Sequence, residues 1–361
     1  MKRTRGRGVR IETLQDFDRR LARGAHRLSG WRIHGVDLSS RSEQLATCRV
    51  SGATFLGCSF AEGDRARVEA AGGLVLPAIG NVPVDVYRSR LYEVDELYDT
   101  ASYAASLDAR AYAWSQESQG QDDTLARALH DHAIDRALET WVRARRLVGV
   151  MGGHALTRDQ PAYADAARLG AGLGSHHVVA TGGGPGAMEA ANLGARLAGR
   201  EPGDLDAALA LLAAVPSYHP SADAWVSSAR AVLARFPEPA ESLSIPTWHY
   251  GHEPANLFAS AIAKYFRNST REATLLEVCD AGIVFLPGAG GTVQEIFQDA
   301  CENYYADESS VAPMVLVGRT HWTETLPVWQ LMQALARGRA MEQHVHLVDT
   351  VEDAVALVSR G

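Results

Sequence analysis

A doubly wound parallel α/β sheet, preceded by a β-rich and irregular arm, is the fold class that this 361-residue sequence predicts. Three observations predict it. Short apolar runs with a β-branched bias recur from Leu147 onward, helical patterns separate them, and three of the strand exits are glycine-rich. At 46% hydrophobic the chain can bury a full α/β core and carry an appendage. Two domains are therefore expected, a cap over 1–100 and a main domain over 101–361.

Between Trp31 and Phe60 a five-residue rhythm runs through Trp31-Arg32-Ile33, Val36-Asp37-Leu38, Cys48-Arg49-Val50, Ala53-Thr54-Phe55 and Cys58-Ser59-Phe60. Small or apolar residues stand two before larger ones, as in pentapeptide-like β-helix coils. So few coils cannot stack into an independent solenoid, so the segment reads as a small cap. Residues 73–98, with Pro77, Asn81-Val82-Pro83 and the tyrosines Tyr87, Tyr92 and Tyr98, read as an irregular connection that wraps the main domain, its aromatics serving packing. Helical spacing sets in near Asp122 and covers Leu125 to Val142.

The main sheet opens with Leu147 to Met151, which runs into the turn Gly152-Gly153. A helix over Ala162 to Leu173 and a strand over His177 to Ala180 follow. Next comes Thr181-Gly182-Gly183-Gly184-Pro185-Gly186-Ala187-Met188-Glu189-Ala190-Ala191-Asn192, a second strand-to-helix junction in which Pro185 suits the first helical position. A mostly helical insertion is expected over about 203–238. Strand signals return at Ser242 to Ile245, Ile283 to Leu286, Pro313 to Val317 and His344 to Val348, and Pro246 to Pro254 reads as an aromatic, polar loop.

A formal charge of -8 and a pI near 5.9 exclude a general nucleic-acid binder, whose affinity rests on a basic face. The basic run Met1 to Arg10 is expected to be a solvated tail rather than a signal peptide, since no apolar segment follows it. No stretch has the length of a membrane span. Cys48, Cys58, Cys279 and Cys301 lack the spacing of a zinc site or a disulfide framework. Reduced thiols in a cytoplasmic protein are expected, with Cys279 and Cys301 as small core residues, and no metal or cofactor is expected.

Three glycine-rich strand exits point to one crevice, because the loops at the carboxyl ends of a doubly wound sheet gather there. In Leu286-Pro287-Gly288-Ala289-Gly290-Gly291-Thr292-Val293-Gln294-Glu295 the glycines let a phosphate approach the backbone at a helix start. Glu295 would repel that phosphate unless it faces another part of the ligand. The bland reading of Thr292 and Glu295 is a capping box, and Ser269-Thr270-Arg271-Glu272 admits the same reading. The functional reading sets Arg271 at the rim of the crevice, where a guanidinium holds phosphate or orients a carboxylate. Neither GxGxxG in its usual spacing nor GxxxxGK[ST] is present.

Gly182-Gly183-Gly184-Pro185-Gly186-Ala187-Met188-Glu189, Arg271 and Pro287 to Glu295 together resemble the LOG family, whose members are often mislabelled lysine decarboxylases. The likeness spans roughly Arg146 to Val348 and lies nearer the larger bacterial nucleotide nucleosidases, which share the Gly-Pro-Gly-Ala-Met loop. It implies a Rossmann-like fold, a two-fold homodimer and hydrolysis of the N-glycosidic bond of an AMP-like nucleoside 5′-monophosphate. It further implies Arg271 and Glu295 as catalytic residues. Gly152, Gly153, Gly182, Gly183, Gly184, Gly186, Met188, Glu189, Gly288, Gly290, Gly291 and Thr292 would then bind substrate. Two departures stand out: Ala289 replaces a glycine of the family motif, and Glu272 replaces the lysine that follows the arginine in cytokinin-activating members.

Breaking the bond at C1′ builds positive charge on the ribose, which an ionised carboxylate stabilises. The helix start is expected to keep Glu295 ionised. No general acid stands out; His154, His249 and His252 are weak candidates. The alternative is a non-catalytic carrier of a nucleotide or of molybdenum cofactor. A lysine decarboxylase is disfavoured, since Lys264 falls in a helical pattern away from the glycine turns. Apolar residues over Leu257 to Phe266 and at Leu275 and Leu276 are expected to form helical faces packed across the dimer axis, with the Arg271 turn ordered by the partner.

Overall fold

A computed structural model describes residues 9–117, 120–250 and 253–359. The basic run as far as Gly8, and the loop residues Gly251 and His252, lie outside the described residues. The chain divides into two units, 1–87 and 88–361.

The first unit alternates β1 (Val9–Ile11), α1 (Leu14–Ala22), β2 (Trp31–His34), α2 (Ser42–Thr47), β3 (Thr54–Leu56), α3 (Asp64–Ala70) and β4 (Leu74–Leu76). Its four strands form one parallel sheet in chain order. Pairing sets Val9 beside Trp31, Arg32 beside Thr54 and Thr54 beside Leu74, so successive strands are spaced by 22, 22 and 20 residues rather than by a five-residue coil. The triplets of the five-residue rhythm lie 22 residues from their stacked equivalents, as the bridges Arg27 to Arg49 and Asp37 to Ser59 show. Each repeat contains a helix, which a pentapeptide coil has no room for. Inward residues of successive strands, Ile11, Ile33, Phe55 and Val75, stack as one apolar ladder, with Phe17, Leu45 and Val68 of the three helices packed onto it. Tyr87 closes the unit, its hydroxyl donating to Pro77 O at 2.7 Å.

The second unit begins with α4 (Val94–Leu97), α5 (Leu107–Glu117) and α6 (Gln121–Val142). Then follow β5 (Leu147–Met151), α7 (Pro161–Gly174), β6 (Val178–Thr181), α8 (Ala187–Arg196), α9 (Pro202–Ala213), α10 (Ala222–Arg235) and β7 (Ser242–Ser244). The chain ends through β8 (Ala261–Ile262), α11 (Asn268–Glu277), β9 (Ile283–Phe285), α12 (Gly290–Tyr305), β10 (Met314–Val317), α13 (Val328–Ala336), β11 (Val345–Val348) and α14 (Val351–Val358). The sheet runs β11-β10-β9-β5-β6-β7-β8, every pair parallel. This is the doubly wound α/β fold. The connections move outward from β5 to β8 and then return to β9 beside β5, so the direction of winding changes between β5 and β9.

β5, β7, β9 and β10 are buried along their whole length, as strands covered on both faces must be. Helices α7 and α8 lie so close that a Cβ at Gly194 would stand 1.8 Å from Ala167 O, and one at Gly170 would stand 2.1 Å from Ala191 O. Only glycine permits that approach.

Three local expectations change. Helix α8 starts at Ala187 with Gly186 as its N-cap, so Pro185 precedes the helix. Cys301 is exposed rather than part of the core, while Cys279 is buried. Leu257 to Phe266 is not helical: it is a loop and the two-residue strand β8, and Leu257, Phe258, Ala259, Tyr265, Leu275 and Leu276 are all buried. Those residues leave no apolar face for a dimer axis. The Arg271 helix is ordered from within the chain, because both carboxylate oxygens of Asp131 on α6 accept backbone N–H groups, from Phe266 and Arg267, at 2.9 Å each.

Candidate active site

The glycine-rich exits of β5, β6 and β9 meet at the change in winding. Gly153 N donates to Pro287 O at 3.2 Å and Gly153 O accepts from Ala187 N at 3.1 Å, joining the three loops directly. Gly152 sits beneath, where a Cβ would meet Ala187 and Leu286 at 2.9 and 3.0 Å. Behind the second loop a buried polar network fixes its course. Asn192 Oδ1 accepts from Thr181 Oγ1 at 2.7 Å and from Asn256 Nδ2 at 2.9 Å, and Asn256 N donates to Gly183 O at 2.8 Å. Gly183 and Gly186 both take positive φ, which explains their residue type.

The third loop ends in α12, whose N-cap is Ala289 and whose first residues are Gly290 and Gly291. Both glycines are exposed and a Cβ on either would meet nothing within 4 Å. The first bond back to the cap comes from Val293, so the N–H groups of Gly290, Gly291 and Thr292 have no partner within the helix and face an open, positive helix end. Thr292 is buried and its hydroxyl folds over Gly288. Because Thr292 is the third helical residue, the capping-box reading of Thr292 and Glu295 does not hold. The same is true of Ser269, which lies inside α11 behind the N-cap Arg267.

Arg271 is buried rather than set at a rim. Its Nε donates to Ile245 O at 2.7 Å and its Nη2 to Gly182 O at 3.1 Å, so one guanidinium ties together the exits of β6 and β7. A Cβ at Gly182 would collide with that Nη2 and with Met188 Sδ. The glycine therefore makes room for the arginine.

Glu295 stands one turn and a half into α12 and makes no ion pair among the described residues. Burial pushes its pKa up to about 7, with Arg271 opposing the rise and Glu272 adding to it. Desolvation thus outweighs the helix start, which was expected to keep the group ionised. Glu272 is held in place by Asn268 Nδ2 at 2.7 Å and by Gln294 Nε2 at 2.9 Å. One turn beyond Glu295, burial raises Asp299 to about 8, and its Oδ2 has no partner.

Of the remaining expected ligand residues, Gly184 packs against Met188 and lies near Glu253, whose Oε2 would be 3.6 Å from a Cβ there. Glu189 is fully buried and its carboxylate is held by Arg158 Nε at 3.1 Å and by Nη2. Lys264 is buried and its ammonium pairs with Asp108. His154 Nε2 lies 3.7 Å from Glu253 Oε1. Sequence reasoning passed over Asp131, Arg158, Asn256 and Glu253. The first carried a signal: His130 and Asp131 occupy buried positions on α6 where its apolar face would otherwise continue.

No family model matches the chain, and no curated protein matches it. Among solved structures, the molybdenum cofactor binding protein from Rippkaea orientalis is similar at 16% identity, over 60% of this chain and 96% of that one, with a TM-score of 0.36. The structural-genomics target TM1055 is 20% identical over 60% of this chain and 99% of its own, with a TM-score of 0.40. The molybdenum cofactor carrier protein from Chlamydomonas reinhardtii is 16% identical over 60% and 97%, with a TM-score of 0.35. The likeness is one of fold alone.

Proposed function

We propose that the chain hydrolyses the N-glycosidic bond of a nucleoside 5′-monophosphate, releasing the base and ribose 5-phosphate. The observation that carries this reading is Glu295, an unpaired carboxyl with a pKa near 7 beside an open helix N-terminus. The N–H groups of Gly290, Gly291 and Thr292 suit a 5′-phosphate. With the phosphate there, the ribose lies over Glu295 and the carboxylate faces the carbon where positive charge develops.

Water supplies the oxygen that bonds C1′, the C1′–N bond breaks, and the departing nitrogen takes a proton. A group half-ionised at neutral pH can accept the proton of the attacking water and return one to the base. That supplies the general acid missing from the sequence reading. Arg271 acts as a positioning residue, its guanidinium already engaged by two carbonyls.

The test is incubation with AMP, GMP, CMP, UMP and IMP, following free base and ribose 5-phosphate. Release from at least one, lost in a folded Glu295→Gln, is the expected result. Binding without release from any would overturn the reading in favour of carriage, the role named for the Chlamydomonas protein.

A further inference from the structure

Among the described residues of the second unit, the buried arginine and lysine side chains are Arg88, Arg158, Arg196, Lys264 and Arg271. A buried charge is costly unless one of opposite sign meets it. Arg88 has Glu96, Arg158 has Glu189 and Lys264 has Asp108, while Arg271 feels the charge of Glu295. Arg196 has no carboxylate partner among the described residues. Its Nη2 donates to the carbonyls of Phe236 and Pro237 at 3.2 and 3.3 Å, but its Nε is enclosed without a partner. Its Nη1 makes no hydrogen bond among the described residues. Burial, and then the charge of Arg200, push its pKa below the ordinary arginine value. A place in the last turn of α8 explains a positive charge there, but not a buried one.

Arg196 lines a cavity of about 580 Å³, a volume suited to a small molecule. The cavity lies at the amino ends of two strands, since Pro237 and Pro239 precede β7 and Ala259 and Ser260 precede β8. The glycine loops lie at carboxyl ends. Helix α8 spans the distance between the two places, from Gly186 at its N-cap to Arg196, about 15 Å by its 10 residues. The cavity is therefore separate from the candidate active site. Leu233, Leu257 and the two prolines give it apolar wall. Arg230, also in the wall, is already satisfied, its Nη1 donating to Asp95 Oδ1 at 3.0 Å and its Nη2 to Tyr98 O at 2.7 Å. Glu93 and Asp95 are the acidic residues of the lining, and both are exposed.

We propose that this cavity binds a small organic acid of single negative charge, its carboxylate paired with Arg196 and its apolar body set against Leu233, Leu257 and the prolines. The carboxylate supplies the counter-charge that the fold withholds from Arg196 and accepts from Nη1. A neutral molecule would leave the guanidinium unpaired. A dianion brings a second charge that Glu93 and Asp95 repel.

The test titrates the full chain by calorimetry with benzoate, with benzamide as its neutral counterpart and with succinate as a dianion. Benzoate is expected to bind one-to-one and about ten-fold more tightly than benzamide, the worth of one charge-assisted hydrogen bond. Arg196→Met removes the charge at similar length and is expected to remove that ten-fold advantage. Two substitutions at exposed positions of the lining leave Arg196 in place and so remain informative if Arg196→Met does not fold. Ala234→Glu adds a competing carboxylate and should weaken benzoate about five-fold, whereas Glu93→Gln removes a repulsion and should tighten benzoate about three-fold and succinate by more. Benzoate held no better than benzamide, or succinate held more tightly than benzoate, would overturn the assignment. So would benzoate binding that is indifferent to both Ala234→Glu and Glu93→Gln, because an anion seated at the glycine loops would feel neither.

Discussion

Glu295 is where residue chemistry decides the most. Its folded pKa of about 7 stands above the ordinary 4.5, so the folded state holds a proton that the unfolded chain has lost over that interval. Stability contributed by the protonated form is complete below about pH 4.5 and is lost as pH rises through 7. Glu295→Gln removes that penalty and is expected to raise stability at pH 8 by up to about 3 kcal/mol, with little change at pH 4, while lowering kcat/KM at least 100-fold. Thermal melts at the two pH values and a rate assay check both halves; a variant that is inactive and less stable at pH 8 would contradict this account. Because water attack needs the carboxylate, wild-type kcat/KM should rise with pH to a plateau with its midpoint near 7. Glu272 raises that midpoint through like charge. Glu272→Gln keeps an acceptor for Asn268 and should move the midpoint to lower pH, which a pH profile of the pure variant reads directly.

At the scale of elements, six strands of the main sheet are legible because each is short and centred on apolar residues, three of them running into glycine-rich turns, and their limits fall within a residue or two of the sequence reading. Strand β8 was not legible. Its two residues lie in a run, Leu257 to Phe266, whose apolar spacing fits a helix, and tertiary burial on every side overrides periodicity there. Of the candidate site, the glycines are legible in sequence, since positive φ at Gly183 and Gly186 and close approach at Gly152 and Gly182 dictate their type, but how Arg271 is used is not. No local signal says that a guanidinium will bridge two carbonyls from distant strands. Nor does sequence show that Asp131, on another helix, holds the start of α11. Asp131→Ala removes two charge-assisted bonds to backbone N–H groups, and a loss of about 2–4 kcal/mol is expected. Assayed below its melting temperature, that variant should also lose at least ten-fold in kcat, since Arg271 begins only four residues after the anchored N–H of Arg267. Full activity in a destabilised variant would show that the Asp131 contact serves stability alone.

At the scale of the whole molecule, the chain joins two units that each satisfy themselves. The first stacks repeats of 20 to 22 residues around one apolar ladder, a period that the sequence hides because the triplets inside a repeat mimic a shorter rhythm. The second has its own seven-stranded parallel sheet, and the residues of the candidate site, Glu295, Arg271 and the three glycine loops, all belong to it. Units with separate cores and a boundary in an irregular connection can fold independently. Residues 88–361 produced alone should therefore melt cooperatively and retain the nucleotide hydrolysis of the full chain within about three-fold, an outcome that calorimetry and the base-release assay measure together. A fragment that melts normally yet loses hydrolysis would assign the N-terminal repeats a part in the reaction. A fragment that fails to melt cooperatively would show that the second core is incomplete without the first.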